Sequence, residues 1–148
     1  MSTTPYSVPI FDVILTINRH FTDEEKKDQW VHVVAPVGEA GVSDAREAPG
    51  PAPVHSPLSL RATLLSPGKS LSRELSTQSS KAYVHVVQTS GFNPGTASGN
   101  TVRVRAPGTQ DAILKEGDGL YITSPNQTTV SVENTGESVA ELLLFELA

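Results

Sequence analysis

The sequence contains four histidines, and their spacing decides which metal or acid–base chemistry the chain can offer. They are His20, His32, His55 and His85. Alternate residues of a β-strand point to the same side, so two histidines separated by one residue can aim both imidazoles at one metal ion. No two of these histidines have that separation. We therefore expect no catalytic metal and assign no metal ligand.

Acid–base chemistry has better candidates. Tyr83 and His85 share one face of a strand-like segment, opposite Val84 and Val86. If that face points inward, a histidine with a pKa near neutrality beside a tyrosine is a workable acid–base pair. Arg61, on the polar face of another segment, can stabilise developing negative charge. Tyr83, His85 and Arg61 are the predicted catalytic residues, although the pattern leaves open which face of each strand is the inner one.

Binding residues are expected near the same pocket. Trp30, the only tryptophan, flanks His32 and can wall a pocket for a flat ligand. His55 lies at the end of a proline-rich stretch, in a rim position. Each of these residues also has a purely structural interpretation, as a barrel-lining or surface side chain.

The elements that position these residues are mostly short strands, because apolar residues recur with a period of two. Thr22 and Glu25 form a capping box, which predicts one short helix. Strands are predicted, with turn residues between them, for residues 12–17, 30–34, 58–65, 70–75, 82–88, 101–105, 112–114, 120–123, 130–132 and 142–147. This spacing is typical of an all-β sandwich or barrel.

A proline-rich stretch at residues 38–57 interrupts the strands. Within it, residues 48–53 (APGPAP) are expected to form no sheet pairing, because prolines remove backbone donors and glycine loosens the backbone. A loop of this length is either a lid over a functional site or an arm over the surface.

Composition limits the class of protein and of partner. The 148 residues suit a single domain, residues 1–148, and there is no cysteine. A net charge of −5 argues against nucleic-acid or anionic-membrane partners, which bind basic surfaces. No targeting segment is recognisable, so a cytoplasmic location is expected.

Several runs resemble the C-terminal cupin half of pirin-like proteins. They are AYVHVV at residues 82–87, KEGDGL at 115–120 and AELLLF at 140–145, together with the helix at 22–27 and the segment at 54–56. The extension at residues 88–91 is similar to that of fungal relatives. The resemblance implies a cupin, or RmlC-like, jelly-roll barrel with one short helix. Pirin-like proteins are usually bicupins whose N-terminal barrel holds iron, and this chain resembles only the second barrel, as a stand-alone domain.

That resemblance also implies where a cupin metal site would fall. The histidine pair would lie near Glu74 and Ser76, the acid near Lys81 and the later histidine near Thr128. Only Glu74 could ligate, and one carboxylate does not hold iron. The quercetin-oxidising activity of some relatives is therefore not carried over, and Glu74 is kept with His32, Trp30 and His55 as a candidate substrate-binding residue.

The favoured function is that of a metal-independent, cofactor-free enzyme acting on a small organic molecule, as an isomerase, cyclase or lyase of specialised metabolism. The first alternative is a non-catalytic binding or regulatory protein, because some pirin-like proteins bind transcription factors. A residual metal-dependent dioxygenase is the third interpretation. Edge strands invite pairing, and residues 5–17 are apolar enough to be exchanged, so a homodimer is also expected.

Overall fold

The computed structural model describes residues 17–75 and 81–148, which contain one short α-helix and ten β-strands. This confirms the predicted all-β class with a single short helix. The predicted strand at residues 12–17 lies outside the described residues except for its last position. The elements are α1 (Asp23–Lys26), β1 (Val31–Pro36), β2 (Ala52–Val54), β3 (Leu58–Leu65), β4 (Ser70–Leu75), β5 (Lys81–Val86), β6 (Thr101–Arg105), β7 (Ala112–Lys115), β8 (Gly119–Thr123), β9 (Thr128–Asn134) and β10 (Ala140–Leu147).

The strands form two sheets that face each other. The larger sheet has the order β2-β1-β3-β10-β5-β8, and the smaller has the order β4-β9-β6-β7. Their facing sides supply the core, in which Val84, Leu142 and Leu144 of the larger sheet are buried with Val102 and Val132 of the smaller. The interior of the barrel is the space between these two faces.

The helix and the turn after it set the start of β1. The Thr22 side chain accepts from the Glu25 N–H at 3.2 Å, and the Glu25 carboxylate accepts from the Thr22 N–H at 2.7 Å, which confirms the capping box. The Asp28 carboxylate then accepts from the Ser66 N–H at 2.7 Å and tethers the chain to the end of β3. No helix in the described ranges is long and apolar enough to cross a membrane.

Strand β3 has its polar residues on the inside. Its predicted alternation is confirmed, and the register pairs Arg61 with Leu144, whose side chain is buried in the core. Arg61 therefore faces the interior, while Leu60, paired with Phe145, faces outward. This orientation, which the sequence left open, delivers a charged side chain to the barrel interior.

The prediction that residues 48–53 form no sheet pairing is wrong for Ala52 and Pro53. Ala52–Val54 forms β2, which pairs in parallel with β1 at the edge of the larger sheet. An edge strand tolerates proline because one side of its backbone needs no ladder partner, and Pro53 occupies such a position. The preceding segment is held by the Arg19 guanidinium, which donates to the carbonyls of Ser43, Ala45 and Arg46 at 2.8–3.0 Å.

Candidate functional site

A cluster of charged side chains lies between the two sheets. The Glu146 carboxylate of β10 is 5% exposed and is the centre of the cluster. Arg73 of β4 donates from Nε to Glu146 Oε1 at 2.9 Å and from Nη2 to Oε2 at 3.4 Å. Arg61 of β3 donates from Nε to the same Oε2 at 3.4 Å. The three residues therefore link the two sheets through one buried carboxylate.

Strand register explains why these side chains meet. Glu146 follows Leu142 and Leu144 on the inward face of β10, with Ala82 of β5 beside it. Arg73 is paired with Val130 of β9 in the smaller sheet, and Val130 is buried in the core. Both charged residues occupy positions that the alternation of their strands assigns to the interior.

His32 extends this cluster along β1. It is paired with Arg61, and its Nε2 lies 3.1 Å from Ser59 Oγ. Its Nδ1 lies 4.0 Å from Glu39 Oε1, which favours the tautomer with the proton on Nδ1 and the lone pair on Nε2. Burial lowers the pKa of His32, and the Arg61 charge lowers it further, against the opposing effect of Glu39 and Glu146. The imidazole is therefore neutral near pH 7 and can accept a proton.

Arg61 keeps unused donors in this setting. Burial is the main reason that its pKa is lowered, and the Arg73 charge is the next. Its Nε donates to Glu146, whereas its two terminal nitrogens make no hydrogen bond to the described residues. With 15% of the side chain exposed, Arg61 can still reach a molecule that enters from solvent.

An opening of about 290 Å³ lies between the edge strands β7 and β8, and its lining does not include the residues of the charged cluster. Inward-facing apolar side chains form its inner wall, and polar residues of the turn before β7 form its rim. The lining residues include Val104, Ala112, Leu120, Ile122, Thr109 and Gln110. On the larger sheet, Ala82 pairs with Ile122 on one side and with Glu146 on the other. One small residue thus separates the charged cluster from the apolar wall of the opening.

The structure does not bring the three predicted catalytic residues together. Tyr83 and His85 pair with Phe145 and Leu143 on the outward face of the larger sheet, whereas Arg61 faces inward. The rings of Tyr83 and His85 stack with centroids 6.2 Å apart. Tyr83, His85 and Arg61 therefore share no cavity. In β5 the residue that faces inward is Val84, which lies between Tyr83 and His85.

The predicted binding residues also separate. Trp30 packs against the core, and its buried indole N–H has no hydrogen-bond partner among the described residues. His55 is exposed at the end of β2, as a rim residue would be. Glu74 is exposed on the outward face of β4, paired with Thr129, so it does not face the barrel interior towards which His32 is turned.

Sequence reasoning missed Ser59, Arg73 and Glu146, although a signal for two of them was present. Arg73 stands between Leu71 and Leu75 in the alternation of β4, and Glu146 continues the apolar series of β10. A charged residue in phase with apolar neighbours is a candidate for a buried functional group, because charges are buried only with compensation.

No protein-family model matches the sequence, and no curated protein sequence matches it. Among solved structures, YhaK and the nickel(II) complex of bacterial pirin YhhW, both from Escherichia coli, superpose with TM-scores of 0.54 and 0.52. Their identities to this chain are 15% and 18%, over 80% of its length in both cases. The chain spans only 41% and 39% of those two proteins. The fold is that of a cupin.

A weaker match is to an RmlC-like cupin family protein with a double-stranded β-helix fold from Methanocaldococcus jannaschii. It matches with a TM-score of 0.45 and 11% identity, over 64% of this chain and 73% of its own. At these identities the comparisons establish the cupin fold and leave the activity open.

The inward-facing residues of this cupin do not fit the metal that many cupins hold. Of the two positions expected for the histidine pair, Glu74 faces outward because β4 turns Arg73 and Leu75 inward, and Ser76 lies outside the described residues. Two guanidinium groups beside the site repel a divalent cation. Within residues 17–75 and 81–148, no three His, Cys, Asp or Glu side chains are arranged to hold a metal ion.

Proposed function

We propose that this cupin acts on a small organic molecule by proton transfer, with His32 as the acid–base group and without a bound metal. The observation that carries the proposal is the inward-facing His32, with a lowered pKa, next to Ser59 and Arg61. This assignment takes the base role from His85, which lies on the outward face. We also propose descent from the C-terminal barrel of pirin-like proteins.

The proton step needs only groups of this chain. His32 Nε2 takes a proton from an acidic C–H of the bound molecule, and the bonding electron pair stays on the molecule as an enolate-type anion. Arg61 lies beside His32 and stabilises that anion. The imidazolium then returns the proton at another atom, which gives an isomerisation, or the anion expels a leaving group, which gives an elimination. Neither outcome requires an oxidant or a reductant.

Ser59 and Glu39 act on His32 as positioning residues. The Ser59 hydroxyl donates to Nε2, which orients the ring towards the interior and is exchanged for the substrate on binding. Glu39 lies beside Nδ1 and favours the tautomer that keeps Nε2 basic.

The test is proton exchange on enolisable probes that need no knowledge of the natural substrate. Pyruvate and 2,4-pentanedione are incubated with the protein in D₂O, and the loss of their C–H signals is followed by proton NMR. Wild type is expected to accelerate exchange of at least one probe, and His32→Gln to reduce the protein-dependent rate by about 10²-fold, the usual contribution of a general base.

The exposed rim histidine provides the matched control. His55→Gln removes an imidazole that stands outside the barrel, so its exchange rate should equal that of wild type. Equal rates for His32→Gln and wild type would show that the exchange arises from surface groups, and the proposal would then be wrong.

A second candidate is a protein that binds the same molecule without converting it. The observation in its favour is the Glu146 carboxylate, which holds both guanidinium groups in fixed positions as a recognition site would. A ligand that shifts the His32 resonances while no probe exchanges its protons would select this candidate.

A further inference from the structure

The charged cluster in the barrel contains more positive than negative charge. Arg61 and Arg73 contribute two positive charges, and Glu146 contributes one negative charge. His32 is neutral near pH 7 because burial and the Arg61 charge lower its pKa. Glu39, the other nearby acid, has 45% of its side chain exposed and lies beside His32. Solvent at Arg73, which is 34% exposed, and the charge of Glu39 on Arg61 compensate for part of this excess, and an anion that enters the cluster would compensate for the rest.

The hydrogen bonds show where such an anion would be held. Glu146 uses both of its oxygens, and Oε2 is shared by Arg61 and Arg73 at 3.4 Å each. Arg61 binds this carboxylate through Nε alone, so the N–H groups of its terminal nitrogens remain available to a ligand. A guanidinium group with neighbouring free N–H donors matches the two oxygens of a carboxylate in a bidentate pair.

On the sides formed by β5 and β9, the neighbours of the cluster are apolar. Val130 is paired with Arg73 on one sheet, and Ala82 lies between Glu146 and Ile122 on the other. Val130 and Ala82 are buried, and Ile122 lines the opening between β7 and β8. A bound molecule would therefore place its charged group among the arginines and the rest of its structure against hydrocarbon.

We propose that the charged cluster and the neighbouring opening between β7 and β8 form one binding site for a small organic carboxylate with an apolar remainder. Arg61 and Arg73 would bind its carboxylate in competition with Glu146. This inference rests on the proposed function, since it names the class of molecule for the same pocket. Glu146 has the role of an internal anion that holds the two arginines in place and weakens binding of the external one.

Three probes separate charge from shape in wild-type protein. They are benzoate, its neutral analogue benzamide and the short carboxylate acetate, titrated while the arginine Nε–Hε resonances are recorded by NMR. Benzoate should bind about tenfold or more tightly than benzamide, in line with the strength of charge-assisted hydrogen bonds. Acetate should bind more weakly than benzoate because it lacks the apolar part. Equal affinities for benzoate and benzamide, or no shift with any carboxylate, would refute the carboxylate assignment.

Variants test the opposing roles of the arginines and the acid. Arg61→Gln should weaken benzoate binding by about tenfold, whereas Arg105→Gln, on the outward face of the smaller sheet, should leave it unchanged. Glu146→Gln removes the competing anion and should tighten benzoate binding by about fivefold or more. A merely structural role of Glu146 predicts no gain, so an unchanged or weakened affinity in a folded Glu146→Gln variant would contradict the proposal.

The outcome of the benzoate titrations can be distinguished from the outcome of the proton-exchange experiment. Carboxylate binding that persists in His32→Gln, with no exchange in wild type, would retain this inference and reject the proton-transfer function. Exchange of 2,4-pentanedione that depends on His32, without any preference for benzoate over benzamide, would do the reverse.

Discussion

His32 is the residue at which burial, hydrogen bonding and chemistry meet. Its ring is turned inward by β1, next to Arg61, and its Nε2 contacts the Ser59 hydroxyl. Both burial and the arginine charge favour the neutral imidazole. The same environment therefore keeps His32 free to accept a proton near pH 7 and lowers its affinity for that proton in the folded state.

This environment predicts a pH dependence of the free energy of unfolding. The folded-state pKa of His32 lies below the unfolded value of about 6.5, so the unfolded chain binds the proton more readily. The stabilising contribution is complete above about pH 6.5 and is lost as the pH falls through the folded pKa. Urea unfolding of wild type from about pH 8 to about pH 5 should show a steeper loss of stability than His32→Gln.

His20→Gln is the control for this measurement, because His20 is exposed and stands before α1. Its stability curve should run parallel to that of wild type over the same range. If the His32→Gln curve were also parallel to wild type, the folded protein would not discriminate against protonated His32, and its assignment as a neutral base would fail.

At the scale of elements, the buried amide of Asn134 connects the strand ends near Leu65 and Ala140, where the Asn100 amide also donates to it. Asn134, the last residue of β9, donates from Nδ2 to the Leu65 carbonyl at 2.8 Å and to the Ser138 carbonyl at 2.7 Å. Its Oδ1 accepts from the Gly136 N–H at 3.0 Å. Because Leu65 ends β3, this side chain joins the larger sheet to the smaller one.

Asn134→Ala should therefore be costly. The substitution leaves the Gly136 N–H and the Leu65 carbonyl without the side chain they bind, and the free energy of unfolding should fall by about 2–3 kcal/mol. Chemical denaturation measures the loss. Asn126→Ala, in an exposed turn, should change stability by less than about 0.5 kcal/mol. Similar effects of the two substitutions would mean that Asn134 does not couple the sheets.

Most strands were predictable at this scale, while the faces that form the site were not. Alternation located β3 and β4 correctly, because a period of two needs only local sequence. It did not show that β3 turns Arg61 inward, since that choice depends on pairing with Leu144 of β10, 83 residues further along the chain. The metal motif placed Glu74 inward, and a shift of one residue reverses every side chain of β4. The short β2 was missed because its pairing with β1 overrides the low strand propensity of Pro53.

For the whole molecule, the two outward sheet faces differ in character. On the smaller sheet, Arg103 and Arg105 pair with Glu133 and Asp111 at 3.0–3.9 Å, as expected for a solvated surface. The outward face of the larger sheet instead carries half-buried apolar and aromatic residues. They include Leu58, Leu60, Tyr83, Leu143, Phe145 and Leu147. Strand β3 contributes to this asymmetry, because the alternation that turns Arg61 into the barrel leaves Leu58 and Leu60 on the outer face.

Two outward-facing apolar residues test whether the larger sheet's outer face contributes to stability. Phe145 is half-buried, with its ring centroid 6.1 Å from that of Tyr83, whereas Ile113 of β7 is 54% exposed. Phe145→Ala should lower the free energy of unfolding by about 2 kcal/mol, roughly half the cost of a fully buried phenylalanine. Ile113→Ala should change it by less than about 0.5 kcal/mol, as for other exposed positions. Urea unfolding of both variants at one pH gives the comparison. If the two losses were equal, the packing of Phe145 against Tyr83 would add nothing to stability. The orientation of β3 that turns Arg61 inward would then have to be stabilised entirely by the charged cluster inside the barrel.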